Sequence, residues 1–450
     1  MEKLPIMSVS GIRGKVGESI DDLFISRIAY IQTRLSGGNK IIIGRDTRNT
    51  GERLMKAACR GIRAAGAEPV DIGIAPTPTT CVAVSALEAN GGIIITASHN
   101  PLPYNGYKMV HGSGRLYRAE ECEKVYTEFH SGNYPGDSEI MRFDDKPSQT
   151  VDASSIHIER ILSKVDTELI RSKNICIAVD SINGAAGAVF PSLLEKLSVK
   201  WVGVHNKLDG DFVHNPEPRP EHLGDLSDLL KSRQDLWGGF VFDPDADRLA
   251  TMGENGEDIS EEMTLVFALQ NLLTKGKSDI ATNLSTSMLI DDVAERNGVK
   301  VYRTKIGEAN VVEGMQKNGC AIGGEGNGGV IYPEISTVRD GLAAIALIIE
   351  LMAKTEKKLT QLASEWPAYS IVKEKISCEG VDPTQIINRL TQNFEDEKTD
   401  LTDGLKIIRE YGWVHLRPSN TEPIIRCYAE AKTQQLAREL ADMVMNEAAK

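Results

Sequence analysis

Three things are scarce in this chain: paired cysteines, positive charge and long apolar runs. The seven cysteines (Cys59, Cys81, Cys122, Cys176, Cys320, Cys378 and Cys427) are odd in number, scattered, and never arranged as C-x-x-C. A disulfide framework and a cysteine metal site are therefore both excluded, and the pattern fits a reducing cytoplasm. A formal net charge of −13 argues against nucleic-acid binding through a general basic surface. An anionic ligand would need its cations gathered locally. The longest apolar run, Leu342 to Ala353, is interrupted by Glu350 and is too short to span a bilayer. Met1 to Ser10 carries no apolar signal core. The expectation is a cytoplasmic protein without a membrane or nucleic-acid partner. What is present, 450 residues with 41% hydrophobic, 26% charged and 5% aromatic content, is the make-up of an ordinary globular protein of several domains.

A pattern recurs three times along the chain. Lys40 to Gly44 leads to a helix from near Thr50 to Gly66 and a strand around Val70, then to the buried run Ile93–Ile94–Ile95. Ile175 to Val179 leads to a helix after Asn183, a strand at Trp201 to Val204, and a late strand from Gly239 to Phe242. Ile280 leads to a helix from Thr286 to Asn297, a strand at Val299 to Tyr302, and a late strand at Ala321–Ile322. Each copy reads as strand, helix, strand and then a buried strand feeding a polar loop, which predicts parallel α/β layers. From about Ile371 the pattern changes. Strands at Leu405 to Ile408, Trp413 to Leu416 and Ile424 to Ala429 precede a helix with Leu436, Leu440 and Val444 on one stripe, the mark of a smaller α+β domain. The domains expected are 1–150, 151–253, 254–369 and 370–450.

The polar loops carry the chemistry. In TASHNP, Ser98 and His99 follow a strand, and Asn100-Pro101 with Pro103 forbids an immediate helix. The pair is either a nucleophile and its neighbour or plain turn residues. The second loop, Asp243-Pro244-Asp245-Ala246-Asp247-Arg248, places three carboxylates two residues apart. Pro244 biases Asp243 towards an extended conformation, on which all three project to one side. Unless this is a solvated acidic turn, a hard divalent cation such as Mg²⁺ is its natural occupant. An EF-hand fails because Arg248 stands at the glycine position and the flanks read as strands.

Gly323 to Gly329 satisfies G-x-G-x-x-G, but Val330 to Pro333 cannot open the helix a dinucleotide site requires. Glu325 and Asn327 among glycines suit sugar hydroxyls, and a glycine-rich hairpin is the alternative. The last loop, Arg417-Pro418-Ser419-Asn420-Thr421-Glu422-Pro423 followed by Arg426, makes either a phosphate cradle or a capped turn with surface arginines. Arg13, Lys108 and Lys305 beside Gly307 are further cations.

Taken together, TASHNP with YNGYK downstream, DPDADR, GEGNGG and RPSNTEP, in this order and with SGIRG near the start, resemble the four active-site loops of the α-D-phosphohexomutases. The resemblance spans essentially the whole chain and is nearest to the archaeal-type branch. It implies three related α/β domains plus a smaller C-terminal α+β domain around a central cleft. It further implies that Ser98 is the phosphoserine, and that Ser98, Asp243, Asp245 and Asp247 hold Mg²⁺. Lys305, Gly307, Glu325 and Asn327 would contact the sugar, and Arg417, Ser419, Asn420, Thr421 and Arg426 the distal phosphate. Lys108 and His99 are the candidates for acid/base work, Arg248 would offset charge at the transferring group, and Arg13 would give electrostatic support. Many members carry Ser and His where Asn327 and Gly329 stand, so any role of that His is missing or reassigned here.

The activity implied is interconversion of a hexose 6-phosphate and a hexose 1-phosphate through an enzyme-bound hexose 1,6-bisphosphate. Glucosamine phosphate is the first choice, with a broad phosphomannomutase/phosphoglucomutase as the alternative. A sugar-phosphate hydrolase and a non-catalytic sugar-phosphate-binding protein rank below these. The partner expected is a small phosphosugar, on a monomer or homodimer.

Overall fold

The computed structural model describes residues 4–378, 380–419 and 424–448. The chain forms two compact units, Met1–Asn271 with Asn327–Gln361, and Leu272–Gly326 with Leu362–Lys450. No helix among the described residues is long and apolar enough to cross a membrane.

In the first unit, strand Lys40–Arg45 lies between the parallel strands Glu68–Ile74 and Gly91–Ile95. The sheet extends through the antiparallel strands Tyr104–His111, Gly11–Lys15 and Ile6–Ser8. A second sheet repeats the arrangement. Strand Cys176–Asp180 lies between the parallel strands Lys200–Val204 and Gly239–Phe242, and Leu249–Met252 pairs antiparallel at the edge. In the second unit Ile280–Asn283 lies between Val301–Thr304 and Ile322–Glu325, again parallel. In all three copies the first strand is the middle one and the late strand is its neighbour. That is why three functional loops leave the carboxyl ends of equivalent strands, where ligands bind in α/β sheets. The fourth sheet, Ser370–Ser377, Ile424–Ala431, Gly412–Pro418, Leu405–Arg409 and Thr399–Asp400, is wholly antiparallel. Helix Gln434–Ala448 supplies Leu440 and Val444 to its core.

The strands feeding Ser98 and Asp243 are buried along their whole length, as an unbroken apolar run in a covered parallel sheet requires. The apolar run after Leu342 is the helix Gly341–Thr355, buried on every side through Ala353, as expected of a helix apolar all round. Two elements depart from the pattern in the sequence. The segment after Asn183 is a 3-10 turn, Ala185–Ala188, and the helix begins only at Phe190. Strand Ile322–Glu325 runs two residues further than its apolar residues, so Glu325 stands on a strand end and not in a loop.

Candidate functional site

Ser98 is buried, and its φ of 49° puts it in the left-handed region. A conformation rarely taken by a side chain other than glycine's must be held by its surroundings. Arg48 holds it. The guanidinium is itself buried and uses every donor: Nη2 to the carbonyls of Ser98 (2.7 Å) and Asn100 (2.6 Å), Nη1 to those of Pro101 (2.9 Å) and Tyr104 (2.8 Å), and Nε to Asp46 Oδ2 (3.0 Å). Thr96 Oγ1 donates to the same Asp46 oxygen at 2.6 Å and accepts the Ser98 N–H at 2.9 Å. The loop after Ile95 is thereby fixed to the end of the central strand. Ser98 Oγ is left 3.3 Å from His99 Nδ1 and 3.4 Å from Asp243 Oδ2. Burial, with the guanidiniums of Arg248 and Arg13, holds the His99 pKa down to about 2, so its ring is neutral.

Asp243, Asp245 and Asp247 are all buried. They converge by a turn, with Ala246 left-handed at φ 54°, and not along the extended segment expected from Pro244. Each carboxylate spends one oxygen on the protein. Asp243 Oδ1 accepts the Arg248 N–H (3.2 Å), Asp245 Oδ2 accepts Thr77 Oγ1 and Lys108 Nζ (2.6 Å), and Asp247 Oδ2 accepts Lys108 Nζ (3.0 Å) and Arg339 Nη2 (2.8 Å). Of the other three oxygens, two stay open. Asp245 Oδ1 and Asp247 Oδ1 are buried without a hydrogen-bond partner, Arg248 Nε lies 3.8 Å from the latter, and Asp243 Oδ2 faces Ser98.

Burial and the neighbouring Asp247 and Asp245 push Asp243 well above the ordinary carboxylate range. Asp247, although buried, is held well below it by Arg339, Lys108 and Arg248. Ligand oxygens of the three residues lie within 4.8 Å of one another. A hard, all-oxygen donor set with two orphaned buried oxygens fits Mg²⁺. The flanking cations are fixed charges: Lys108, although buried, has its pKa raised by Asp245 and Asp247, and Arg13 Nη1 donates to Asn100 Oδ1 at 3.2 Å.

Asn327 Oδ1 is also buried and unpartnered. A Cβ at Gly329 would meet Arg339 Cδ at 2.3 Å and Asn327 Oδ1 at 3.2 Å. The space a side chain at position 329 would enter is therefore filled by Arg339.

In the second unit Glu325 is buried, and its Oε1 accepts Asn283 Nδ2 (2.9 Å) and the Gly307 N–H (3.1 Å). Lys305 is exposed two residues earlier. In the last sheet Arg417 pairs directly with Arg426, and Arg426 with Lys375. Like charges opposite one another on a sheet are unfavourable by themselves, and an anion relieves them. Arg417 Nε also stands 3.5 Å from Asp403 Oδ2, while the Ser419 N–H closes the strand end on the Ile424 carbonyl at 2.9 Å. Asn420 and Thr421 lie outside the described residues.

The structure thus brings Ser98, His99, Arg13, Lys108, the three aspartates and Arg248 together within one unit. It groups Glu325 with Gly307, and Arg417 with Arg426, in the other. Sequence reasoning missed Asp46, Arg48, Thr77, Arg339 and Lys375. Arg48 had a signal, a D-x-R directly after a strand. Arg339 immediately precedes Asp340, which caps the buried helix through Oδ1.

Comparison with known proteins agrees with this geometry. The chain matches the phosphoglucomutase/phosphomannomutase α/β/α domains I (6–136), II (155–256) and III (260–369) and the C-terminal domain (374–447). It is 37% identical to a phosphoglucomutase/phosphomannomutase of Thermococcus kodakarensis, over 96% of each chain. It is 34% identical to a probable phosphoglucosamine mutase of Methanopyrus kandleri, over 96% of this chain and 95% of that one. The crystal structure of a phosphoglucomutase/phosphomannomutase family protein from Burkholderia thailandensis superimposes with a TM-score of 0.85 at 26% identity, covering 99% and 98% of the two chains. The chain belongs to the phosphoglucomutase/phosphomannomutase family, the α-D-phosphohexomutases, enzymes of the isomerase class that transfer a phosphoryl group within their substrate.

Proposed function

We propose that this enzyme interconverts a hexose 6-phosphate and a hexose 1-phosphate through a phosphoryl group carried on Ser98, with glucosamine phosphate as the preferred substrate. The observation that carries the reading is Ser98 Oγ, held in a strained turn 3.4 Å from one carboxylate of a buried triad. Phosphate monoesters are so inert that positioning and charge neutralisation must supply nearly all of the acceleration. In the forward half-reaction a sugar hydroxyl oxygen bonds to phosphorus and the Ser98 Oγ–P bond breaks, giving a bound hexose 1,6-bisphosphate. The proton of that hydroxyl ends on Ser98 Oγ. His99 Nδ1, 3.3 Å from Oγ, is placed to hydrogen-bond with that oxygen as its proton is lost and regained. The second half-reaction returns the other phosphate to Ser98 once the sugar has turned around.

Asp243, Asp245 and Asp247 would hold Mg²⁺, whose contribution when bound is to neutralise charge on the transferring group. Lys108 and Arg339 fix the triad by charge, and Arg248 and Arg13 add positive potential beside Ser98. Glu325 reads ring hydroxyls, and Arg417 with Arg426 takes the phosphate that is not reacting. Arg13, Lys305, Gly307, Asn327, Ser419, Asn420 and Thr421 complete the proposed set, and the proposed domain limits are 1–150, 151–253, 254–369 and 370–450.

The preference for glucosamine rests on relatives such as the one from Methanopyrus kandleri. A coupled assay with Mg²⁺ and a trace of glucose 1,6-bisphosphate tests it. Glucosamine phosphate should show the highest kcat/KM among glucosamine, glucose, mannose and N-acetylglucosamine phosphates; equal values for mannose and glucose would make this a broad phosphohexomutase. Ser98→Ala should bind hexose phosphate without turnover, and full activity in that variant would end the phosphoserine reading.

A further inference from the structure

A second cluster of metal-ligating side chains lies away from the Asp243 turn, at the ends of strands Cys176–Asp180 and Lys200–Val204. Asp180 Oδ2 stands 3.0 Å from His205 Nδ1 and 3.3 Å from His214 Nε2. The Asp180 side chain is 1% exposed and the imidazoles 13% and 12%. What each imidazole does with its other nitrogen is decisive. His205 Nε2 lies 3.0 Å from Asp225 Oδ2, and His214 Nδ1 lies 2.9 Å from the Asn215 carbonyl. Both outer partners are acceptors, so each ring keeps a proton on its outer nitrogen whatever its inner nitrogen does. The two inner nitrogens converge on one carboxylate oxygen, to which each donates when protonated and beside which each offers a lone pair when it is not. A metal ion would take the place of the two inner protons and bind all three atoms at once, as it must to compete at a histidine site.

From this geometry we infer that Asp180, His205 and His214 form a second metal site, for a borderline divalent transition ion such as Zn²⁺. A set of two imidazole nitrogens and one carboxylate oxygen favours such an ion over Mg²⁺ or Ca²⁺. Metal–ligand bonds of about 2.0–2.1 Å in a tetrahedron put donors roughly 3.3 Å apart, close to the observed 3.0 and 3.3 Å. Ligand atoms of all three residues lie within 4.8 Å of one another. Asp225 and the Asn215 carbonyl supply the outer acceptors that metal-bound histidines ordinarily use to fix ring orientation.

The site ties down a functional loop. Between its two histidines the chain carries Gly210, whose Cβ, if present, would fall 2.0 Å from the Thr47 carbonyl oxygen, and Phe212, whose ring lies 4.9 Å from the Arg48 guanidinium. Asn183, at the foot of the loop, accepts Thr47 Oγ1 on its carbonyl at 2.7 Å and donates from Nδ2 to the Asp211 carbonyl at 2.9 Å. The metal would hold the 205–214 loop against Arg48, the residue that holds Ser98. Its role is structural.

Full-length protein stripped with a chelator and supplied with excess Mg²⁺, which fills all-oxygen sites, is titrated with Zn²⁺ and separately with Co²⁺. One equivalent of Zn²⁺ should bind per chain and raise the melting temperature, and Co²⁺ should give the intense visible absorption of a tetrahedral site, displaced by Zn²⁺. His205→Ala and His214→Ala should each abolish that absorption, and Asp225→Asn should weaken Zn²⁺ binding by roughly tenfold or more. Should a histidine variant fail to fold, the wild-type Co²⁺ spectrum and Zn²⁺ stoichiometry decide alone. Absence of saturable Zn²⁺ binding, an octahedral Co²⁺ spectrum, or binding unchanged in both histidine variants would overturn the assignment.

Discussion

The ends of the first and second central strands, Asp46 and Asp180, are built alike and used differently. In each, Oδ1 accepts the N–H two residues on, Arg48 at 3.0 Å and Ile182 at 2.8 Å, the side-chain turn that aspartate forms readily. The difference lies in Oδ2. Asp46 Oδ2 meets a guanidinium the chain itself supplies, two residues away; Asp180 Oδ2 meets two imidazoles. The third copy makes the same turn with an amide: Asn283 Oδ1 accepts the Ser285 N–H at 2.8 Å, while Nδ2 donates to Glu325. The repeat therefore keeps one atom for folding and frees the other for function. Asp46 holds a cation there and Asp180 faces two imidazoles, whereas asparagine presents a donor and orients an acid.

The largest effect expected from breaking this comparison is at Arg48. Arg48→Lys keeps the charge but loses the fork that reaches four carbonyls and Asp46 at once. Ser98 should then lose its held position, with kcat falling roughly 100-fold, the scale of a displacement near 1 Å. KM for hexose phosphate should stay within about threefold, since the residue touches no substrate. A change in KM alone, or no change in kcat, would show that Arg48 does not position Ser98.

A smaller effect sharpens the contrast between the second and third copies. His415 is buried beside the third turn, accepting from Ser285 Oγ at 2.8 Å on Nδ1 and donating to the Asp403 carbonyl at 2.6 Å from Nε2. Burial, helped by the cations of Lys406 and Arg417 and opposed by the carbonyl and carboxylate of Asp403, lowers its pKa to about 4. The unfolded chain, with a histidine near 6.5, binds the extra proton between these values, so stability is full above about pH 6.5 and falls as pH drops towards 4. Between about pH 7.5 and about pH 5 the wild type should lose roughly 2 kcal/mol that His415→Gln does not. Urea unfolding at both values measures it, and equal losses in the two proteins would remove His415 from the account.

Much of this was legible in the sequence, for a physical reason. Buried parallel strands are continuous apolar runs, so their ends are sharp, and the residues that follow, Ser98, Asp243 and Glu325, stand out. The Asp turn was readable in composition but not in conformation, because its convergence depends on a left-handed Ala246 and on Gly341, whose N–H donates to the Ala246 carbonyl at 3.1 Å. The positioning residues were hidden. Asp46 and Arg48 lie about fifty residues before Ser98 and act through backbone carbonyls, which leave no mark on sequence. Arg339 reaches Asp247 across 92 residues, and only the fold shows that it stands where Gly329 leaves room. Asp180, His205 and His214 are ordinary loop residues until the sheet brings two strand ends together.

The most direct test of the central claim is to load the enzyme with glucose 1,6-bisphosphate labelled in its phosphates, identify the labelled peptide by mass spectrometry, and chase with unlabelled hexose phosphate. The account predicts label on Ser98, discharged at the rate of turnover into hexose bisphosphate and then hexose monophosphate. Label on another residue, or discharge at that rate into inorganic phosphate, would contradict it.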